Sequence, residues 1–178
     1  DQGHAQAAFY LGFVDALAYY NQVSNMIDVN ILPPVFSLKS FPGSDPLVHI
    51  AVDVKGKNIK HRNLILSVVF YYDNGDNLQG PLAAEYNTPI DCNLNGMLGS
   101  TSNLYSTVND NTFNNIFMFP SQSLWPYPEY RGSILILAHM EICEIANNGE
   151  PIPHTSADYR FTLECRSGFL GFPKFKIL

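Results

Sequence analysis

The sequence is poor in charge, because only 15% of its 178 residues are Asp, Glu, Lys or Arg, whereas an average soluble domain has about 25%. Asp and Glu number 16 and Lys and Arg 10, which gives a formal net charge of -6. Nucleic-acid binding relies on cations that displace counterions from phosphates, so this balance argues against a nucleic-acid partner. Asn, Ser, Thr, Tyr and Gly replace the missing charge, and we expect a secreted or cell-surface protein.

Long apolar runs and cysteines are also scarce. No stretch of 18 apolar residues occurs, so no transmembrane segment is predicted, and the start without Met or a charged leader is typical of processing. The three cysteines, Cys92, Cys143 and Cys165, allow at most one intrachain disulfide. Strand parity predicts a buried thiol at Cys165 and does not favour its pairing with Cys143, so a disulfide, if one exists, links Cys92 with Cys143.

Catalytic signatures are missing as well: no G-x-S-x-G elbow, P-loop, G-x-G-x-x-G or H-E-x-x-H motif occurs. His49 with Asp53 and His139 with Glu141 each share one face of a predicted strand, and neighbouring strands would join them into a metal cluster. We favour the alternative that all four are solvent-facing polar residues. No catalytic residue, metal or cofactor is therefore predicted.

The strongest strand pattern is Asn63–Asp73, NLILSVVFYYD. Almost every residue in it is apolar or aromatic, and many are of the β-branched and ring-bearing types that strands favour. A strand that is apolar on both faces is covered on both sides, so we place it at the centre of a sheet. Asn74-Gly75 then favours a tight hairpin, which explains the run 73–77 better than a calcium loop does.

Other segments alternate between apolar and polar residues, as half-buried strands do. In Leu47–Lys55 the alternation turns His49, Ala51 and Asp53 outward; the residues predicted to face the core are Val48, Ile50, Val52 and Val54. Ser133–Ala146 and Tyr159–Arg166 repeat the pattern, whereas no element is predicted in Asn87–Thr112. About seven or eight strands with turns between them predict a mainly β fold, an immunoglobulin-like antiparallel β-sandwich, over residues 31–178.

Residues 1–30 carry the one convincing helical pattern. Apolar residues recur at helical spacing from Ala5 to Ile27, and several of them are small enough for a helix to lie close against a flat surface. The polar side has no Lys or Arg, which helices on membrane surfaces usually carry. We therefore expect an N-terminal α-helix that packs on the sandwich within a single domain.

Two segments are candidate binding surfaces. The first holds four of the ten basic residues within eight positions: Lys55, Lys57, Lys60 and Arg62. It would attract a phosphate, a sulfated sugar or an acidic partner, unless it is a solvated loop. The second, Phe117–Tyr130, contains the single Trp and three Pro, and Trp125, Tyr127 and Tyr130 would anchor a partner or a sugar. Alternatively, this segment is a crossing loop whose aromatic rings close the end of the sandwich.

These patterns predict a non-enzymatic binding module that recognises a protein, a glycan or an anionic lipid headgroup through loops, although a fold alone does not define a function. The competing class is a self-assembling subunit of a capsid or pilus, because low charge and many aromatic residues suit self-assembly. A capsid subunit often has a basic N-terminal arm, which this sequence lacks. A hydrolase is the third and least favoured class.

Overall fold

The computed structural model describes residues 26–41, 44–75, 77–85, 88–126, 129–146, 149–168 and 172–178. The strands are β1 (Asp28–Ile31), β2 (Val35–Lys39), β3 (Leu47–Lys57), β4 (Leu64–Asp73), β5 (Leu78–Gln79), β6 (Asn93–Leu94), β7 (Met97–Leu104), β8 (Asn111–Pro120), β9 (Gly132–Ile145), β10 (Pro151–Ser167) and β11 (Pro173–Ile177). Short 3-10 helices cover Ile90–Cys92 and Ser121–Leu124. The fold is mainly β with antiparallel sheets, as predicted, and within the described ranges no helix could cross a membrane.

The predicted N-terminal helix, Ala5–Ile27, lies outside the described residues except for its last two positions, Met26 and Ile27. Met26 and Ile27 lead into β1 without belonging to a helix or strand. Residues 28–30, which the prediction included in the helical region, are in a strand because Asp28–Ile31 pair with β3. The predicted helical region therefore does not extend to residue 30.

Sheet 1 is built around β3. β8 pairs with one edge of β3 along the ladder from Leu47↔Pro120 to Gly56↔Asn111. On the other edge, β2 and β1 lie one after the other, opposite the first and second halves of β3. Pro33-Pro34 separates β1 from β2, since proline has no N–H to donate to a ladder.

Sheet 2 has the strand order β11-β10-β9-β4-β7-β6, and β5 extends the edge of β4 beyond β7. The prediction that Asn63–Asp73 lies at the centre of a sheet is confirmed, because β4 lies between β9 and β7. Residues of β4 alternate between buried and half-buried, so one face enters the core. The described residues place no layer on the other face, and the helix expected to pack on the sandwich falls outside the described residues.

The two sheets pack face to face around one hydrophobic core. The predicted parity of β3 is confirmed, since Val48, Ile50, Val52 and Val54 are at most 1% exposed. Across the gap, the Phe70 ring of β4 meets the Phe119 ring of β8 edge to face, with centroids 4.7 Å apart. Contacts of this kind fix the spacing and mutual orientation of the sheets.

Strand direction gives the sandwich two distinct ends. Pairing of Leu47 with Pro120, and of Asp73 with Leu135, puts the Pro120–Arg131 crossing and the turn after β4 at one end, here called the crossing end. β3 finishes and β4 starts at the opposite end, here called the basic end, where the Asn58–Asn63 loop lies. The two predicted binding surfaces are thus at opposite ends of the sandwich.

Candidate functional site: the two ends of the sandwich

The loop at the basic end is fixed by backbone hydrogen bonds to the loop between β7 and β8. The Ile59 N–H donates to the Asn109 carbonyl at 3.0 Å, and the His61 N–H donates to the Ser106 carbonyl at 2.9 Å. Asn58 and His61 have positive φ angles of 56° and 58°, a conformation in which Asn and His are enriched. The loop therefore presents its side chains from a defined backbone.

Three of the four predicted basic residues are exposed: Lys55 and Lys57 on alternate positions of β3, and Lys60 in the loop. Lys55 and Lys57 point away from the core, on the outer face of sheet 1, because they alternate with the buried Val54 and Gly56. Within the described part of the chain, none of the three lysines is within ion-pair distance of a carboxylate. These ammonium groups thus carry the accessible positive charge of the basic end.

Arg62, the fourth predicted basic residue, is differently placed. Its guanidinium donates to the two carboxylate oxygens of Glu144 at 3.0 and 3.4 Å, and the Glu144 side chain is only 16% exposed. The His154 Nε2 lies 3.3 Å from the same carboxylate. Arg62 is therefore held against Glu144 at this end of the core with its side chain 39% exposed, and it is less available to a partner than the three lysines.

Exposed apolar side chains lie beside the loop that holds Lys60, a feature that sequence patterns did not indicate. Met26, Tyr105 and Val108 are 66%, 60% and 52% exposed. The Asn58 amide donates to the Met26 carbonyl at 3.1 Å, and the Tyr105 hydroxyl lies 3.0 Å from His61 Nδ1. These contacts place Met26 and Tyr105 next to the loop that holds Lys60.

The acidic groups near the basic end limit its net charge. Asp28 pairs with Lys57 across the β1–β3 ladder, and Asp110 follows the loop that contacts Ile59. The side-chain oxygen of Asp28 accepts a hydrogen bond from the amide of Asn30 at 2.9 Å. The basic end is therefore a mixed surface in which lysines and apolar groups are the most prominent exposed features, rather than a strong cationic field.

At the crossing end, Trp125 is only 8% exposed and belongs to the core. Its ring stacks on Tyr130 with centroids 5.5 Å apart, and its Nε1 donates to the Tyr130 carbonyl at 3.1 Å. Tyr130 is exposed, whereas Tyr127 lies outside the described residues. Trp125 therefore helps to close this end of the sandwich, as the alternative prediction had it, and is not an exposed anchor for a partner.

A cavity of about 400 Å³ lies beside Trp125. It is lined by Glu85, Gln122, Ser123, Trp125, Pro126, Arg131, Cys165, Pro173 and Phe175. These residues come from four separate parts of the chain, so no local sequence pattern reveals the cavity. The predicted aromatic segment Phe117–Tyr130 contributes four residues to its wall: Gln122, Ser123, Trp125 and Pro126.

The four possible metal ligands are not brought together. His49 and Asp53 lie on the outer face of sheet 1, whereas His139 and Glu141 lie on the outer face of sheet 2, across the core. His139 Nδ1 instead lies 2.7 Å from the carboxylate of Asp158. In the described ranges, no group of three or more His, Cys, Asp or Glu side chains could hold a metal ion.

The predicted Cys92–Cys143 disulfide does not form, and all three cysteines are free. The Cys92 thiol donates to the Met118 carbonyl of β8 at 3.3 Å, whereas Cys143 pairs with Ile65 near the opposite end of sheet 2. Burial, helped by Asp91, raises the pKa of Cys92 to about 11, so its thiol stays protonated and unreactive. The buried thiol predicted at Cys165 is confirmed.

Comparison with known proteins gives little further information. No protein-family model matches the chain, and no curated protein matches it. The X-ray structure of Northeast Structural Genomics Consortium target SoR45 aligns with 78% of this chain and 87% of its own length, at 11% sequence identity and a TM-score of 0.29. A TM-score this low supports no conclusion about fold or function.

Proposed function

We propose that the chain is an immunoglobulin-like sandwich. Support comes from the strand order, which is β2-β3-β8 in one sheet and β10-β9-β4-β7 in the other. Lettered along the chain, with β1 and β2 as an interrupted strand A, these sheets read A-B-E and G-F-C-C′. Immunoglobulin-type domains divide their strands between two sheets in this way.

We infer that the domain is a secreted or surface-exposed, non-enzymatic binding module. Its basic end binds a negatively charged partner, which is a protein, a glycan or a lipid headgroup. The observation that carries this proposal is the group of three exposed lysines, Lys55, Lys57 and Lys60, beside the exposed Met26, Tyr105 and Val108. Loops on a rigid sandwich are a common location for binding sites.

The two kinds of exposed group have different roles in this proposal. The lysines increase the rate of encounter with an anionic surface, and this contribution weakens as salt is added. The apolar side chains remain in contact after encounter, because their burial is insensitive to moderate salt. Each exposed lysine contact contributes only ~0.5 kcal/mol, so removing all three lowers the affinity by a factor of ~10.

The test replaces Lys55, Lys57 and Lys60 together by Ser and measures binding to phosphatidylserine vesicles, a sulfated glycan and an acidic protein. The matched control replaces Lys39, Lys174 and Lys176 by Ser, since these three lysines are also exposed and lie elsewhere on the molecule. We expect ~10-fold weaker binding to at least one probe for the first variant, and parental binding for the control. Equal binding of both variants to every probe, at low and physiological salt, would refute the proposal.

A self-assembling subunit is the second candidate, and the outer face of sheet 1 favours it. Val35 and Ile116 flank Ala51 in one cross-strand row of this face, and Met118 lies in the next row. All three large side chains are exposed, and exposed apolar patches often mark protein interfaces. Sedimentation of the parent and of Ile116→Ser at high concentration tests this candidate, which requires the parent to associate and the variant to associate less.

A further inference from the structure

The cavity beside Trp125 is separate from the lysines, because it lies at the crossing end of the sandwich. Its volume of about 400 Å³ falls within the range of small-molecule sites. The wall is formed by the 3-10 helix Ser121–Leu124, the start of β11 and residues before β9. The Trp125 N–H donates to the Gln122 carbonyl at 3.0 Å, which closes the last turn of this 3-10 helix beside the cavity.

Aromatic rings form one corner of the cavity. Trp125 and Phe175 meet at an interplanar angle of 71° with centroids 5.7 Å apart, and Pro126 and Pro173 extend this apolar wall. Trp125 and Phe175 are each 8% exposed, so a flat or chair-shaped ligand can bury a few C–H groups against the exposed parts of this corner.

Polar groups form the rest of the lining, and their formal charges cancel. Glu85 is an acceptor and Arg131 a donor of opposite charge, whereas Gln122 and Ser123 each offer a donor and an acceptor. Arg131 already donates to the Tyr130 carbonyl at 2.9 Å. A purely apolar ligand would cover Glu85, Gln122 and Ser123 without giving them hydrogen bonds, which is costly. A ligand with one net charge would be attracted by one of Glu85 and Arg131 and repelled by the other, so net charge brings little gain.

We propose that this cavity binds a neutral sugar residue. Hydroxyl groups both donate and accept, so a neutral sugar can hydrogen-bond to Glu85, Gln122 and Ser123 while its C–H groups contact the exposed parts of Trp125 and Phe175. The proposal is independent of the basic end, because none of the three lysines lines the cavity. Failure of either proposal leaves the other standing.

The single tryptophan of the chain makes the test direct. Because Trp125 lines the cavity and the sequence contains no other Trp, its fluorescence reports on this site alone. The probes are the methyl glycosides of glucose, galactose, mannose and N-acetylglucosamine, each titrated to ~50 mM, a range that includes the millimolar Kd of a small ligand. We expect at least one probe to change the emission saturably, and the parent to bind methyl glucuronide or glucosamine more weakly.

The variant Glu85→Ala/Gln122→Ala removes two exposed polar groups at the rim and leaves the core intact. It should bind the active glycoside at least ~10-fold more weakly, while the control Gln79→Ala, an exposed residue outside this cavity, should bind it like the parent. Emission unchanged by every neutral glycoside, tighter binding of a charged sugar, or equal affinity of the rim variant and the parent would each overturn the proposal.

Discussion

Adjacent positions of β3 give opposite responses to substitution, and the pair Val52→Asp and Asp53→Val tests this directly. Val52 is 1% exposed and lies between the two sheets. Asp53 is exposed on the outer face of sheet 1, where its carboxylate accepts a hydrogen bond from the Asn114 amide at 2.7 Å. A one-residue error in strand parity would exchange the two environments.

The expected magnitudes follow from burial. Removing the buried Val52 side chain costs about 2 kcal/mol, and an unpaired carboxylate in the core costs several kcal/mol more. The total approaches the ~5 kcal/mol at the lower end of domain stabilities. Asp53→Val removes one solvent-exposed hydrogen bond of ~0.5 kcal/mol, and the β-branched side chain offsets part of that loss because it suits a strand.

Urea unfolding of the parent and both variants, followed by circular dichroism, gives the free energies of unfolding. Val52→Ala is a third variant that stays folded if Val52→Asp does not, and we expect it to lose about 2 kcal/mol. Equal losses for Val52→Ala and Asp53→Val would show that β3 does not place Val52 in the core, and the reasoning on both sheets would be wrong.

Three further outcomes are expected. Tyr159→Phe removes the 2.9 Å hydrogen bond to the Ile31 carbonyl and should lower the free energy of unfolding by about 1 kcal/mol, whereas no loss would mean that water replaces the hydroxyl. Burial raises the pKa of Tyr159, so unfolding experiments should show the stability from this group intact below the ordinary tyrosine pKa of about 10 and lost as pH rises through the higher folded value; the opposite slope would contradict this burial. Iodoacetamide should label Cys143 before Cys92 and Cys165 in the native protein, because only Cys143 is partly exposed; a Cys92–Cys143 peptide in an unreduced digest would contradict the structure.

The inward and outward residues of the alternating strands were predictable, because successive side chains of a strand point to opposite faces of the sheet. The inward residues from Val48 to Val54 alternate with His49, Ala51 and Asp53, and those from Tyr159 to Cys165 alternate with polar residues. The identity of the inward face therefore follows from the sequence once the segment is assigned as a strand. Asn87–Thr112 lacks such alternation, and β6, β7 and part of β8 lie in it. Four of the eight residues of β7 are the polar Ser100, Thr101, Ser102 and Asn103. Pairing with β4, rather than a local apolar pattern, makes this segment a strand.

The candidate sites were less predictable, since long-range contacts decide which side chains remain accessible. Lys55, Lys57, Lys60 and Arg62 look equivalent in the sequence, but of these four only Arg62 forms an ion pair with Glu144, which is 82 residues away. Glu85 and Phe175 meet Trp125 only through the fold. Local composition therefore indicated the basic segment and the aromatic segment, whereas contacts between distant parts of the chain determine which of their side chains remain exposed.

Distance and charge separate the two proposed sites. β3 has 11 residues, and at ~3.3 Å per residue it holds the two ends roughly 35 Å apart. Electrostatic interactions in water are screened over about 8 Å at physiological salt, so Lys55, Lys57 and Lys60 exert almost no field on the cavity beside Trp125. Salt should therefore weaken binding at the basic end and leave the affinity for a neutral glycoside unchanged. If both affinities fell together with added salt, the two ligands would share one site, and the assignment of separate functions to the two ends would be wrong.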